Sequence, residues 1–108
     1  MSAPDPKGLA ALRSLGKTTA HMLIEAGVPD PAALRRMGAV EAWRRLRLLH
    51  GRRVTASFLY ALEAGVTDTR WSDLTPARLA ELKAIAGDIA RRQDGARSPE
   101  RAARRTHP

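Results

Sequence analysis

The chain has 108 residues, nineteen Lys and Arg against eleven Asp and Glu, a formal net charge of +8 and no cysteine. That length allows one domain with a single modest core, and the lack of cysteine excludes disulfides, thiolate metal sites and cysteine nucleophiles. No apolar stretch is long enough to cross a bilayer and Met1-Ser2-Ala3-Pro4-Asp5-Pro6 has no apolar signal region, so a cytoplasmic chain with no membrane partner is expected.

The punctuation along the chain is helical throughout. Pro4 and Pro6 close a loose start, so residues 1–6 are expected to be flexible. Lys7–Arg13 reads as a short first helix with Leu9 and Leu12 on one side. After a turn at Gly16, residues 17–26 place Ala20, Leu23, Ile24 and Gly27 at helical spacing, with Gly27 as the C-terminal cap. Asp30 before Pro31 is an N-cap with proline at the first helical position, opening a helix that runs to Met37 and stops at Gly38. Residues 39–49 continue as a helix whose predicted core stripe is Ala39, Ala42, Trp43, Leu46 and Leu49, with Glu41, Arg44 and Arg45 facing away. Gly51-Arg52-Arg53 follows as an exposed basic turn.

The second half repeats the pattern. Thr55–Ala64 carries Phe58, Leu59, Leu62 and Val66 at helical spacing, with Gly65 as the predicted stop. Thr75-Pro76 opens a last helix whose buried face is Leu79, Leu82, Ile85 and Ile89, weakened near its end by Gly87. From about Arg92 the apolar pattern stops. Gln93–Pro108 is mostly Arg, Ala, Ser, Gly and Pro and is expected to be a disordered basic tail, in which Ser98-Pro99-Glu100 can start a short helix on binding. The fold class is therefore all-α, a compact bundle of about five short helices over residues 7–91, with no strand signal.

The run from Leu12 through Gly16 to Ile24 has the organisation of a helix-hairpin-helix phosphate-binding module. A tight turn feeding a helix leaves the first amides unpaired and aims the positive end of the helix dipole outward, where an anionic oxygen fits. Lys17 adds a full charge beside the amides of Gly16, Thr18 and Thr19. Ser14 stands where a strong hairpin of this kind has a second glycine, so the turn is either a degenerate phosphate site or a structural corner. Gly16-Lys17-Thr18 also mimics the end of a nucleotide-binding P-loop, but that loop needs glycine where Ala11 stands and a preceding strand. Ser14-x-x-Lys17 lacks the companion motifs of a serine hydrolase of that type.

Charge is concentrated in two zones. Residues 35–53 hold Arg35, Arg36, Arg44, Arg45, Arg47, Arg52 and Arg53 against Glu41 alone, and residues 91–108 hold six arginines against Asp94 and Glu100. Two basic zones on a nearly neutral body suit a polyanion, with DNA first and RNA next among candidates. The bland alternative is that a GC-rich genome supplied arginine wherever a solvated cation was tolerated, since sixteen of the nineteen cations are arginine. Arg44, Arg45, Arg52 and Arg53 are the predicted extension of the contact begun at Gly16, Lys17, Thr18 and Thr19. Sequence-specific reading of bases is not expected, because no helix presents a set of Asn, Gln and Arg suited to it.

Catalysis has no foothold. His21 sits on a polar helix face, His50 at a helix C-terminus where an imidazolium is favoured, and His107 in the tail. No carboxylate pair or His/Asp cluster has the spacing for acid–base work or a metal, and no cofactor motif stands out. Trp43 and Trp71 read as core anchors, and Glu63 as a partly buried carboxylate paired with an arginine.

Three blocks in order carry a family resemblance: Gly38-Ala39-Val40-Glu41-Ala42-Trp43-Arg44-Arg45-Leu46, then Leu59-Tyr60-Ala61-Leu62-Glu63, then Trp71-Ser72-Asp73-Leu74. With Leu15-Gly16-Lys17-Thr18-Thr19-Ala20-His21-Met22-Leu23 before them, they resemble the C-terminal domain of the TfoX/Sxy regulators of natural competence over roughly residues 9–88. The full regulators carry an additional N-terminal α/β domain for which these residues hold no pattern. The resemblance implies a helix-hairpin-helix or SAM-like bundle tied to DNA uptake and transcriptional control, without enzymatic activity. A nucleic-acid-binding module is the leading expectation. The alternative is a protein-interaction adaptor docking a partner such as a transcription regulator.

Overall fold

The computed structural model describes residues 3–12 and 15–97. Six helices follow in order: α1 Pro6–Ala11, α2 Lys17–Glu25, α3 Pro31–Met37, α4 Ala39–His50, α5 Ala56–Thr67 and α6 Pro76–Arg97, with 3₁₀ turns at Gly51–Arg53 and Trp71–Asp73. Among the described residues there is no strand. The all-α expectation holds. Arg13, Ser14 and the tail segment 98–108, including the Ser98-Pro99-Glu100 start, lie outside the described residues, as does the side chain of Trp71.

Local chemistry explains most helix boundaries. Asp30 Oδ1 accepts from the Ala33 amide at 2.8 Å with Pro31 opening α3, and Thr75 Oγ1 accepts from the Arg78 amide at 3.1 Å at the start of α6. At the end of α2, Gly27 at φ 91° lets its own amide reach Ile24 O at 3.1 Å and the Val28 amide reach Leu23 O at 2.8 Å. That is a Schellman closure, which needs a left-handed residue and so favours glycine. It also turns Val28 into the core.

α4 is the hub, packing against α2, α3, α5 and α6. Its Ala42, Trp43 and Leu46 meet Leu23, Leu34, Leu59, Leu62 and Leu82 from those helices in one buried cluster. Trp43 is 1 % exposed and its Nε1 donates to Thr55 O at 2.9 Å, fastening α4 to the start of α5.

Four sequence expectations are corrected. Order begins before residue 7, because Asp5 caps α1 through the Gly8 amide at 3.0 Å while its own N–H donates to Pro29 O at 2.7 Å. Gly65 does not stop α5: it is buried within the helix, which runs on to Thr67 and is closed by Asp68 at φ 54°, with the Thr69 amide on Ala64 O at 2.9 Å. Aspartate tolerates this left-handed turn better than most residues, so no glycine was needed there. Leu49 is not in the core stripe of α4 but 53 % exposed, with Leu48 beside it at 45 %. Arg47, at 6 %, takes the buried place one turn beyond Trp43.

The fourth correction follows from that arginine. α6 passes the predicted boundary at Arg92 and reaches Arg97. Arg47 Nη1 donates to Gln93 Oε1 at 3.2 Å and Asp94 Oδ1 at 3.1 Å, and its Nη2 donates to Asp94 Oδ2 at 3.3 Å. Gln93 Nε2 in turn donates to Arg44 O at 2.9 Å. A polar clasp, invisible to a search for apolar periodicity, extends the folded body by about a turn and a half.

Candidate nucleic-acid interface

The start of α2 is exposed and has no side-chain cap. Leu15 is buried and its amide donates to Leu12 O at 3.2 Å, so an apolar plug holds the turn against the bundle. Gly16 then takes the N-cap place at φ −119°, ψ 180°, and its carbonyl accepts from the Ala20 amide at 2.9 Å. It supplies no side-chain cap and the first turn holds no carboxylate. Gly16, Lys17 and Thr18 are exposed and Thr19 half-buried. Space for a β-carbon on Gly16 is open, with nothing within 4 Å, so neither backbone strain nor crowding explains the glycine. Its effect is to leave the amide end of the helix uncovered.

The arginines separate into different roles. Arg44 Nε and Nη2 donate to the two Glu41 oxygens at 2.8 and 2.7 Å, and Arg45 Nε donates to Glu41 Oε2 at 3.0 Å. The hydrogen bonds from Arg44 and then Arg45 hold the Glu41 carboxyl down at about 2, and Glu41 raises Arg44 above its ordinary range. Both cations therefore already share an anion. Arg45 Nη1 lies over Gly27, at the far end of α2 from Lys17. α2 from Lys17 to Glu25 is about 12 Å long at the helix rise, so Arg45 does not join the Lys17 turn in one pocket, and Arg44 is held beside it on Glu41. Arg52 and Arg53 are exposed on the 3₁₀ turn. Glu63 pairs with Arg78 as expected, at 2.7 and 3.2 Å, with the carboxylate side chain only 13 % exposed.

The Glu41 triad makes a prediction. A depressed carboxyl stabilises the fold fully above its unfolded value of 4.5 and loses that contribution as pH falls from 4.5 through about 2. Because the side chain is 35 % exposed, solvent limits the contribution to less than about 1 kcal/mol. Glu41→Gln should flatten the acid limb of stability over that window. It should also release two arginines, steepening the salt dependence of any polyanion binding by up to about two units.

Sequence reasoning missed two surfaces. Leu48 and Leu49 form an exposed apolar patch beside Glu25, Ala26 and Arg45 around a shallow hollow of about 330 Å³; the spacing rule had assigned Leu49 to the core. Lys83 on α6 lies with Arg52 at a cleft between α4 and α6, a proximity that needed the tertiary fold to be seen. Among the described residues no three His, Asp or Glu side chains gather as metal ligands, and no helix is long and apolar enough to cross a membrane.

Comparison with known proteins places this geometry. Two crystal structures of a Listeria monocytogenes protein, one in a triclinic form described as uncharacterized and one in a tetragonal form described as of unknown function, are each 36% identical to the chain. Both superpose with a TM-score of 0.72 over 75% of this chain, covering 91% and 99% of theirs. No curated protein matches. The family model of the TfoX C-terminal domain matches residues 5–86, which span α1 to the middle of α6, and the chain belongs to that family.

Proposed function

We propose that the chain is a non-enzymatic nucleic-acid-binding module that holds a phosphate backbone at the start of α2, in the service of competence-related gene control. The observation that carries the reading is the exposed helix start with no capping side chain and no first-turn carboxylate, beside Lys17. Amides of Gly16, Lys17, Thr18 and Thr19 would donate to one phosphate, and Lys17 would neutralise it. Arg52 and Arg53 add exposed charge, while Arg44 and Arg45 contribute only as far as a phosphate competes with Glu41. DNA is the first candidate and structured RNA the second, both bound without base reading.

A titration of duplex DNA at several salt concentrations tests this, using variants that separate a pocket from general charge. Gly16→Asp puts a carboxylate where the phosphate would sit; as a natural N-cap it should raise stability by about 0.5 kcal/mol while lowering affinity. Lys17→Glu should weaken binding well beyond Arg70→Glu, an exposed charge reversal elsewhere, and should lower the salt slope by about one unit. Equal small losses for the two reversals, with Gly16→Asp binding as wild type, would remove the hairpin from the proposal.

The exposed Leu48 and Leu49 favour a second reading, an adaptor that docks a transcription regulator through this patch. Replacing both with serine should leave DNA affinity unchanged, and under the adaptor reading should abolish association with the regulator.

A further inference from the structure

The cleft between α4, the start of α5 and α6 is an open groove of about 350 Å³ that combines an apolar floor with a cationic rim. Val54, Ala56, Ala86 and Ala90 line the floor, and exposed Arg52 and Lys83 stand on the rim. Among the described residues lining it there is no carboxylate. Arg47 closes one wall with its charge already engaged by Asp94.

The room comes from α6. Ala86, Gly87 and Ala90 present small side chains on successive turns facing α4, where leucine-sized residues would fill the space. Gly87 is helical and does not have a positive φ, and a β-carbon there would meet only the guanidinium of Arg91, at 3.4 Å. Backbone geometry therefore does not demand a glycine that weakens the helix. Gly87 and Ala90 also lie beyond residue 86, where the family match ends.

We propose that the cleft docks an acidic amphipathic helix of a partner protein. A bare phosphate backbone has no apolar group to cover the floor. An amphipathic helix can seat a leucine-sized side chain against Val54, Ala86 and Ala90 while its carboxylates meet Arg52 and Lys83. The cleft contains no residue of the Lys17 turn and shares only Arg52 with the nucleic-acid reading, so the protein partner it adds rests on the apolar floor, which that reading does not use.

The test uses the full chain and a fluorescent synthetic helix with a leucine face flanked by glutamates, together with versions carrying glutamine or lysine in their place. The glutamate probe should bind. Both the glutamine probe and the Arg52→Glu, Lys83→Glu double variant should weaken that binding by about tenfold or more, and the double variant should instead take the lysine probe. Gly87→Leu, which fills the cleft with no change of charge, should block binding while keeping or raising the melting temperature; Ala90→Leu repeats the block from the next turn. Gly16→Asp should leave the probe's affinity unchanged. Unaltered binding by both leucine variants, or equal affinity for the glutamate and glutamine probes, would each overturn the proposal.

Discussion

A chain ended after Arg92 is expected to lose about 3 kcal/mol of folding stability relative to one ended after Arg97. The shorter chain removes Gln93 and Asp94, both acceptors for an Arg47 side chain that is only 7 % exposed. Breaking a buried pair from one side costs more than the pair contributes, because the remaining charge is left in a low-dielectric place without its counterion. Asp94 is 35 % exposed, so water relieves part of the cost and the estimate belongs at the low end of the usual range. For a domain of this size the melting temperature should fall by roughly 12 to 24 °C. Arg47→Met in the shorter chain should recover much of the loss, since an apolar side chain of similar length needs no acceptor. Equal melting temperatures for the two truncations would show that the clasp contributes nothing.

Trp43→Ala is the second large expected effect, about 3 to 5 kcal/mol in denaturant titration. The indole is 1 % exposed at the centre of the helix that packs against four others, so its removal leaves a void that several elements would have to close together. Trp43→Phe separates packing from hydrogen bonding. It retains most of the ring but cannot donate to Thr55 O, 2.9 Å from the indole nitrogen in the native chain. Thr55 is exposed and water can replace that donor, so the phenylalanine variant should lose at most about 1 kcal/mol beyond its smaller volume. A loss as large as that of the alanine variant would make the hydrogen bond, and not the volume, the main contribution.

Both effects bear on function through position. Arg47 and Trp43 fix α4, and α4 carries Arg44, Arg45 and one wall of the cleft. Loss of polyanion or peptide binding in these variants therefore has to be compared at matched folded fraction. The surface variants Gly16→Asp, Lys17→Glu and Gly87→Leu avoid that ambiguity.

What the sequence by itself determined is local. Asp30-Pro31, Thr75-Pro76 and Gly27 set helix ends through contacts within a few residues, so a capping oxygen, a proline at the first turn and a left-handed glycine were legible without the fold. Leu23, Leu34, Trp43, Leu46, Leu59, Leu62 and Leu82 are buried because helical spacing put each on an apolar face, and any bundle of these helices would bury that face. The exposed start of α2 was legible for the same reason. Tertiary structure decided the rest. Whether Leu49 or Arg47 completes the stripe of α4 depends on α6, which brings Gln93 and Asp94 from 46 and 47 residues away to satisfy the arginine. No periodicity in either helix carries that information, because the energy lies in a polar pair formed across the bundle. Arg44 and Arg45 are drawn to Glu41 within one helix, which the spacing allowed, but their distance from Lys17 is set by how α4 lies along α2. The meeting of Arg52 with Lys83 is likewise a product of packing: charges far apart in the chain become one rim only after Trp43 and Leu82 bury the helices between them.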